Sequence, residues 1–165
     1  MKNNVKPIPE GYHTVTPYLT ISGAAAAIDF YKRAFDAKEI MRFPMGDRIG
    51  HAEIQIGDSR IMLADPFTEA GHKDPKMLGG SPVGLSIYVE DVDSFFKRAI
   101  DAGARVDNNM EVKDQFYGDR SGSLVDPFGH KWTIATHKED VPMDEMRKRA
   151  ETMMSQNAHA EGKEA

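Results

Sequence analysis

An α+β fold of two tandem βαβββ modules is predicted by three features of this sequence. A helical segment repeats: Phe30-Tyr31-Lys32-Arg33-Ala34-Phe35-Asp36-Ala37 matches Phe95-Phe96-Lys97-Arg98-Ala99-Ile100-Asp101-Ala102 at six of eight positions, 65 residues on. A turn signature repeats as well: Gly57-Asp58 leading to Asp65-Pro66-Phe67 recurs as Gly118-Asp119 leading to Asp126-Pro127-Phe128, with 61 residues between the Asp-Pro-Phe copies. Order and spacing are both kept, as in a duplicated unit. The third feature is period-two alternation of apolar and polar residues around each helical copy, the mark of strands with one buried face.

Taken in order, residues 1–12 are polar and carry Pro7 and Pro9, which predicts an N-terminal arm. From Thr14 to Ile21, Val15, Pro17, Leu19 and Ile21 alternate with Thr14, Thr16, Tyr18 and Thr20, a strand that Pro17 marks as an edge or a break in pairing. Ser22 is placed to cap a helix over Ala24 to Ala37, whose Ala27, Ile28, Tyr31, Ala34 and Phe35 share one face. Strands follow over Lys38 to Phe43, His51 to Ile56 and Arg60 to Ala64, with turns at Met45-Gly46-Asp47 and Gly57-Asp58. The first module thus spans residues 13–65.

Residues 66–82 have no periodicity and are rich in Pro and Gly, which predicts a linker. The order restarts with a strand over Val83 to Val89. Asp91 caps a helix from Val92 to Ala102, and Gly103 closes it. Short strands are expected near Arg105-Val106 and Val112 to Phe116. Gly122 to Val125 and Lys131 to Thr136 form a hairpin around Asp126-Pro127-Phe128-Gly129, where Pro sets the turn and Gly leaves it. The second module spans 83–138. Over 139–165 an amphipathic helix opens at Pro142, with Met143, Met146, Ala150, Met153 and Met154 as a stripe for the domain or a dimer mate. A frayed tail is expected from residue 155.

Composition narrows the function. There is no cysteine, which removes thiolate chemistry, disulfides and Cys-based metal sites. A net charge of −5 without a basic stripe argues against nucleic acid and anionic membranes as partners. No apolar run reaches membrane-spanning length and no signal-peptide core follows Met1, so a cytoplasmic location is expected.

The tandem βαβββ order with its Gly-Asp and Asp-Pro-Phe hairpins resembles the vicinal oxygen chelate superfamily, which includes glyoxalase I, extradiol dioxygenases and the fosfomycin- and bleomycin-resistance proteins. The likeness covers about residues 12–140, and Gly118 to His137 is most similar to the PhnB-like branch. The resemblance implies that each module curls its sheet into a half-barrel, helices outside, and that two modules, from one chain or swapped between two, enclose a central ligand cavity. Helices would cover the apolar faces, leaving Thr16, Tyr18, His51, Glu53, Gln55, Arg60, Met62, Gly84, Ser86, Tyr88, Lys131, Thr133, Ala135 and His137 on the concave side. Such a set is too polar for a dry core and predicts a wet pocket.

Metal-using members of that superfamily take ligands from the first and last strands of each module. Carried over residue by residue, those positions fall on Thr16, Met62, Gly84 and Thr133, none of which replaces imidazole or carboxylate. The usual divalent-metal set is therefore predicted absent, and no cofactor is expected. A relocated site would need His51, Glu53 and His137 together; the plainer reading makes both histidines hydrogen-bonded residues of the pocket rim. Glu53 is a general base if burial raises its pKa, or else a carboxylate paired with Arg60. Asp119 and Arg120 are read as a pair near the cavity mouth, with Phe116 and Tyr117 closing over a flat ligand. His130 is expected to be exposed, and Trp132 to lie in the core. Two functions follow: a metal-free, homodimeric binding protein for a small molecule, or a glyoxalase-like lyase, isomerase or dioxygenase working through a relocated metal or Glu53.

Overall fold

The computed structural model describes residues 5–161, with side chains to 155. Two mixed sheets, each with its own helix, repeat one topology. In the first, β1 (Tyr18–Thr20), β2 (Lys38–Met45), β3 (Arg48–Ile56) and β4 (Ser59–Ala64) lie in the order β1-β4-β3-β2 around α1 (Ala24–Phe35). After α2 (Pro75–Leu78), the second sheet joins β5 (Gly84–Tyr88), β6 (Arg105–Val106), β7 (Lys113–Asp114), β8 (Asp119–Val125) and β9 (Lys131–His137) around α3 (Val92–Asp101). Its order is β5-β9-β8-β6, with β7 also on β8. In both, the strand before the helix runs parallel to the last strand, and the remaining pairs are antiparallel. The duplicated βαβββ reading holds. A fourth helix, α4 (Met143–Glu161), closes the described chain.

Several local expectations are corrected. The first strand shrinks from Thr14–Ile21 to Tyr18–Thr20, because Pro17 has no N–H to donate although its carbonyl still accepts from Met62 at 2.9 Å. Ser22 does not cap α1. Gly23 is the N-cap, with φ of 84°, and Asp65 supplies the acceptor from 42 and 41 residues away, taking Gly23 N at 2.8 Å and Ala24 N at 3.2 Å. The same carboxylate takes Ile49 N at 2.8 Å, so the first Asp-Pro-Phe turn ties sheet to helix. The linker is ordered: a 3-10 turn over Thr68–Ala70 precedes α2, and buried Asp74 caps α2 at Met77 N (2.8 Å) while holding Ser22 N (3.3 Å). Only the tail's last four residues and its side chains beyond 155 lie outside the described residues; α4 continues through the stretch expected to fray.

One core serves both modules. Phe30, Tyr31 and Phe35 of α1 are buried against residues of the second module: Tyr31 meets Trp132 at 5.5 Å, Phe35 meets Trp132 at 4.8 Å, and Phe35 stacks on Phe95 at 5.8 Å. Alternation then delivers Leu19, Ala52, Ile54, Ile56, Ile61 and Leu63 from the first sheet and Leu124, Trp132 and Ile134 from the second to this same core. The opposite sheet faces are left to the polar residues.

Candidate functional site

Register decides what the first polar face contains. Tyr18 lies opposite Met62, Met62 opposite Glu53 and Glu53 opposite Met41, so these four cross the sheet in one row. Phe43 lies opposite His51, and Gln55 opposite Arg60. Met41 and Phe43 are on this face because the register shifts at Ile40, between Glu39 and Met41. Both are exposed, at 40% and 58%, so the face carries apolar side chains beside its polar ones.

A hydrogen-bonded chain runs through the polar side chains. Tyr18 Oη and His51 Nδ1 are 3.0 Å apart, and His51 Nε2 stands 3.3 Å from Glu53 Oε1. A charged carboxylate only accepts, so the imidazole proton sits on Nε2 and Nδ1 receives the Tyr18 hydroxyl. Tyr12, from the arm, also faces Glu53. Its hydroxyl, ahead of the opposing effect of burial and the further help of His51, holds the Glu53 carboxyl below the ordinary carboxylate range. The condition set for Glu53 as a general base, a raised pKa, is therefore not met. Nor does Glu53 form the expected ion pair with Arg60. The guanidinium lies instead under Tyr12, 5.8 Å from the ring centroid, and its Nε and Nη1 are buried without a hydrogen-bond partner among the described residues.

On the second sheet, Asp119, Ser121 and Ser123 of β8 face the same way as Thr133, Ala135 and His137 of β9. Tyr88 donates to Asp119 Oδ2 at 2.8 Å, and His137 Nδ1 meets Asp119 Oδ1 at 2.7 Å. Asp140 holds the other ring nitrogen at 3.0 Å. Asp119 first and Asp140 second raise the pKa of His137. Thr133 shares a hydrogen bond with Ser123 (3.0 Å), and Tyr117 reaches Ser121 (3.3 Å). Lys131 is paired with Asp107 at 3.1 Å.

Arg120 is on the other side of β8. It makes two 2.8 Å hydrogen bonds to Asp93 of α3 and one of 3.2 Å to Asp114, so the expected Asp119–Arg120 pair does not form. Adjacent strand residues point to opposite faces, which is why Asp119 and Arg120 part company. His130 is also corrected: it is buried, with Nε2 3.3 Å from the Thr20 carbonyl. Trp132 is buried as expected, donating to Asp126 Oδ2 at 2.9 Å.

His51 and Glu53 stand together, but His137 is engaged on the second sheet, so the trio of a relocated metal site does not converge within one chain. Among the described residues no three His, Asp or Glu side chains are grouped to hold a metal ion. The superfamily positions themselves do not fit one either. Thr16 has left the strand and its hydroxyl points at the His13 carbonyl (3.4 Å); Met62 offers a thioether, Gly84 nothing, and Thr133 a hydroxyl shared with Ser123. Zn²⁺, Ni²⁺ and Fe²⁺ are held by imidazole or carboxylate, not by such a set.

A cleft of about 700 Å³ opens where the β3–β4 hairpin of the first module faces β5 of the second. Arg60, Ile61, Leu85, Ile87, Tyr88 and Trp132 contribute to its walls. A space of this size suits a metabolite-sized molecule.

A tandem βαβββ chain with a polar face on each sheet and a cleft between modules defines a class, and comparison places the chain within one. Residues 12–134 match the Glyoxalase/Bleomycin resistance protein/Dioxygenase superfamily, to which the protein belongs. The uncharacterized protein Mb0911c of Mycobacterium bovis is 42% identical over 151 residues, covering 89% of this chain and 94% of its own. Among solved structures, TioX from Micromonospora sp. ML1 superposes with a TM-score of 0.58 at 24% identity, over 79% of this chain and all (100%) of its own. A superfamily member from Sphaerobacter thermophilus gives 0.60 at 15% identity, over 76% and 97%. At these identities the two structures establish the fold alone.

Sequence reasoning missed Tyr12, Met41 and Phe43. Tyr12 belonged to an arm without periodicity, and a bulge at Ile40 hides the other two from strict alternation. The Gly-Asp signature did flag Asp119, but not that its partners would be Tyr88 and His137.

Proposed function

We propose that the protein binds a small molecule without the metal-ligand set typical of its superfamily, as a member of the PhnB-like branch, and that it works as a homodimer whose curled sheets enclose the ligand. The observation that carries this reading is the donor set itself: alcohol, thioether, hydrogen and alcohol stand at Thr16, Met62, Gly84 and Thr133. The residues left to meet a ligand are Tyr18, His51, Gln55, Arg60 and Met62 on one sheet and Tyr88, Thr133 and His137 on the other. Tyr117 flanks the second group, while Arg120 is engaged by Asp93 and Asp114 and serves α3 instead. Dimerisation is supported by apolar side chains left uncovered on the edge strand β2 and on α4, where Met143, Met153 and Met154 of the expected stripe are exposed.

Metal analysis of protein purified without chelators or affinity nickel is expected to find no stoichiometric Zn, Ni, Mn or Fe. A thermal-shift screen of metabolites and glycopeptide antibiotics is expected to find stabilising ligands, and sedimentation equilibrium to find twice the 18.4 kDa chain mass. Stoichiometric metal, or a failure of every compound, would overturn the reading.

The Tyr18–His51–Glu53 chain favours a second reading, a lyase or isomerase that moves a proton. There His51 and Tyr18 would exchange the proton and Glu53 would fix the tautomer. Glu53→Gln then abolishes turnover, whereas under the binding reading it only weakens affinity.

A further inference from the structure

We infer that Arg60 anchors an oxyanion, a carboxylate or a phosphate monoester, carried by an amphipathic ligand of the inter-module cleft, and that Gly11–Tyr12 is a flap over it. The inference names the ligand class for the binding function proposed above and rests on that reading.

Guanidinium donors shut away from water call for an acceptor. Yet Nε and Nη1 of Arg60 are buried with no hydrogen-bond partner among the described residues. Glu53 is near enough to feel the guanidinium's charge, but among the described residues no carboxylate pairs with it. Glu53 faces Tyr12 and His51, and Asp58 approaches His13 at 3.9 Å. What covers the guanidinium is the arm: a Cβ on Gly11 would stand 3.1 Å from Nε and from Nη2, and Gly11 holds a φ of +81° that other residues avoid. Tyr12 lays its ring alongside. Backbone and ring supply contact but no acceptor.

The cleft that Arg60 lines supplies the rest. Ile61, Leu85, Ile87 and Trp132 make its wall largely apolar. Its other guanidinium, Arg98, is committed to the Ala34 carbonyl at 3.1 Å and to the Phe95 ring at 4.7 Å. Asp36 and Asp58 also reach its lining, so the fork of Arg60 is what would draw an anion there: a largely apolar hollow with an unpaired, planar set of donors complements a molecule with an apolar body and a two-oxygen anionic end.

Titration of the full chain with benzoate, phenyl phosphate, inorganic phosphate and neutral benzyl alcohol tests this. Benzoate or phenyl phosphate should raise the melting temperature and bind by calorimetry, their ranking separating carboxylate from phosphate; benzyl alcohol should do neither. Arg60→Met should weaken that anion about tenfold or more, and Arg60→Lys less, because a single ammonium keeps the charge but loses the fork. Circular dichroism checks the fold, and Arg60→Met should melt no lower than the parent, since it removes unmet donors. Binding should also speed proteolytic cleavage of the arm. If Arg60→Met binds the anions as the parent does, or if no anion acts at concentrations up to about 10 mM, the weak end of specific binding, Arg60 is not the anchor. Protection of parent and Arg60→Met alike by a neutral compound removes this inference and leaves the small-molecule reading standing; protection by nothing removes both.

Discussion

His137 sits between two carboxylates, and its titration is the most directly measurable property of the polar faces. Asp119 and Asp140 accept from its two ring nitrogens, which favours imidazolium and raises the pKa above the ordinary 6.5. A group whose folded pKa is raised stabilises the fold fully below the unfolded value and loses that contribution as pH climbs through the folded one. The melting temperature of the parent should therefore decline from about pH 6.5 upward, and His137→Gln should flatten this decline by removing the titrating ring. A profile with the same slope in both proteins would show that the bridge is not formed. The ring is largely solvent-exposed, so the effect should shrink in high salt.

At the level of elements, the hairpins are held by glycines in unequal circumstances. Gly57 turns the β3–β4 hairpin at φ +58° with open space around a would-be Cβ. Gly118 leads into β8 at φ +101°, and a Cβ there would collide with the Glu139 carbonyl, while the Gly118 carbonyl itself accepts the N–H groups of Lys138 and Glu139 from the β9–α4 connection. Gly57→Ala should cost about 1 kcal/mol, the left-handed penalty alone. Gly118→Ala combines that strain with a backbone clash and should cost about 3 kcal/mol or more. Urea unfolding of the two variants compares them, and equal losses would mean that the Glu139 segment yields freely. The β2 bulge at Ile40 belongs to this scale as well: it turns Met41 and Phe43 onto the face of His51 and Glu53, on a strand with no outer neighbour among the described residues.

Across the whole molecule, Asp126 joins the modules. Its Oδ2 accepts from Tyr31 of α1 at 2.7 Å and from Trp132 at 2.9 Å, while Oδ1 takes the backbone N–H of Phe128 and of His130. The carboxylate is buried, so four donors lose their only acceptor if it goes. Asp126→Ala should cost about 3 to 5 kcal/mol by orphaning buried donors. Because Tyr31 and Trp132 belong to different modules, the variant should still unfold in one step, as the shared aromatic core demands. Two urea transitions, or a loss under about 1 kcal/mol, would mean the modules are independent and merely adjacent.

What the residues settle without help is whatever depends on neighbours along the chain. Period-two alternation, the Asp91 cap, the Gly103 stop and the doubled helix segment make both βαβββ units legible, because strand pleat and helix pitch act over a few residues. The chemistry of Thr16, Met62, Gly84 and Thr133 is legible for the same reason, since an alcohol, a thioether or a bare hydrogen is the same wherever it is placed. What only the folded chain decides is which side chain meets which. Asp65 caps a helix 42 residues back, Tyr12 faces Glu53, Arg120 turns away from Asp119, and Arg60 lies under Gly11 with no acceptor among the described residues. Those pairings depend on bulges, strand register and the path of an arm with no periodicity, and each is set by the free energy of packing the whole rather than by any local preference.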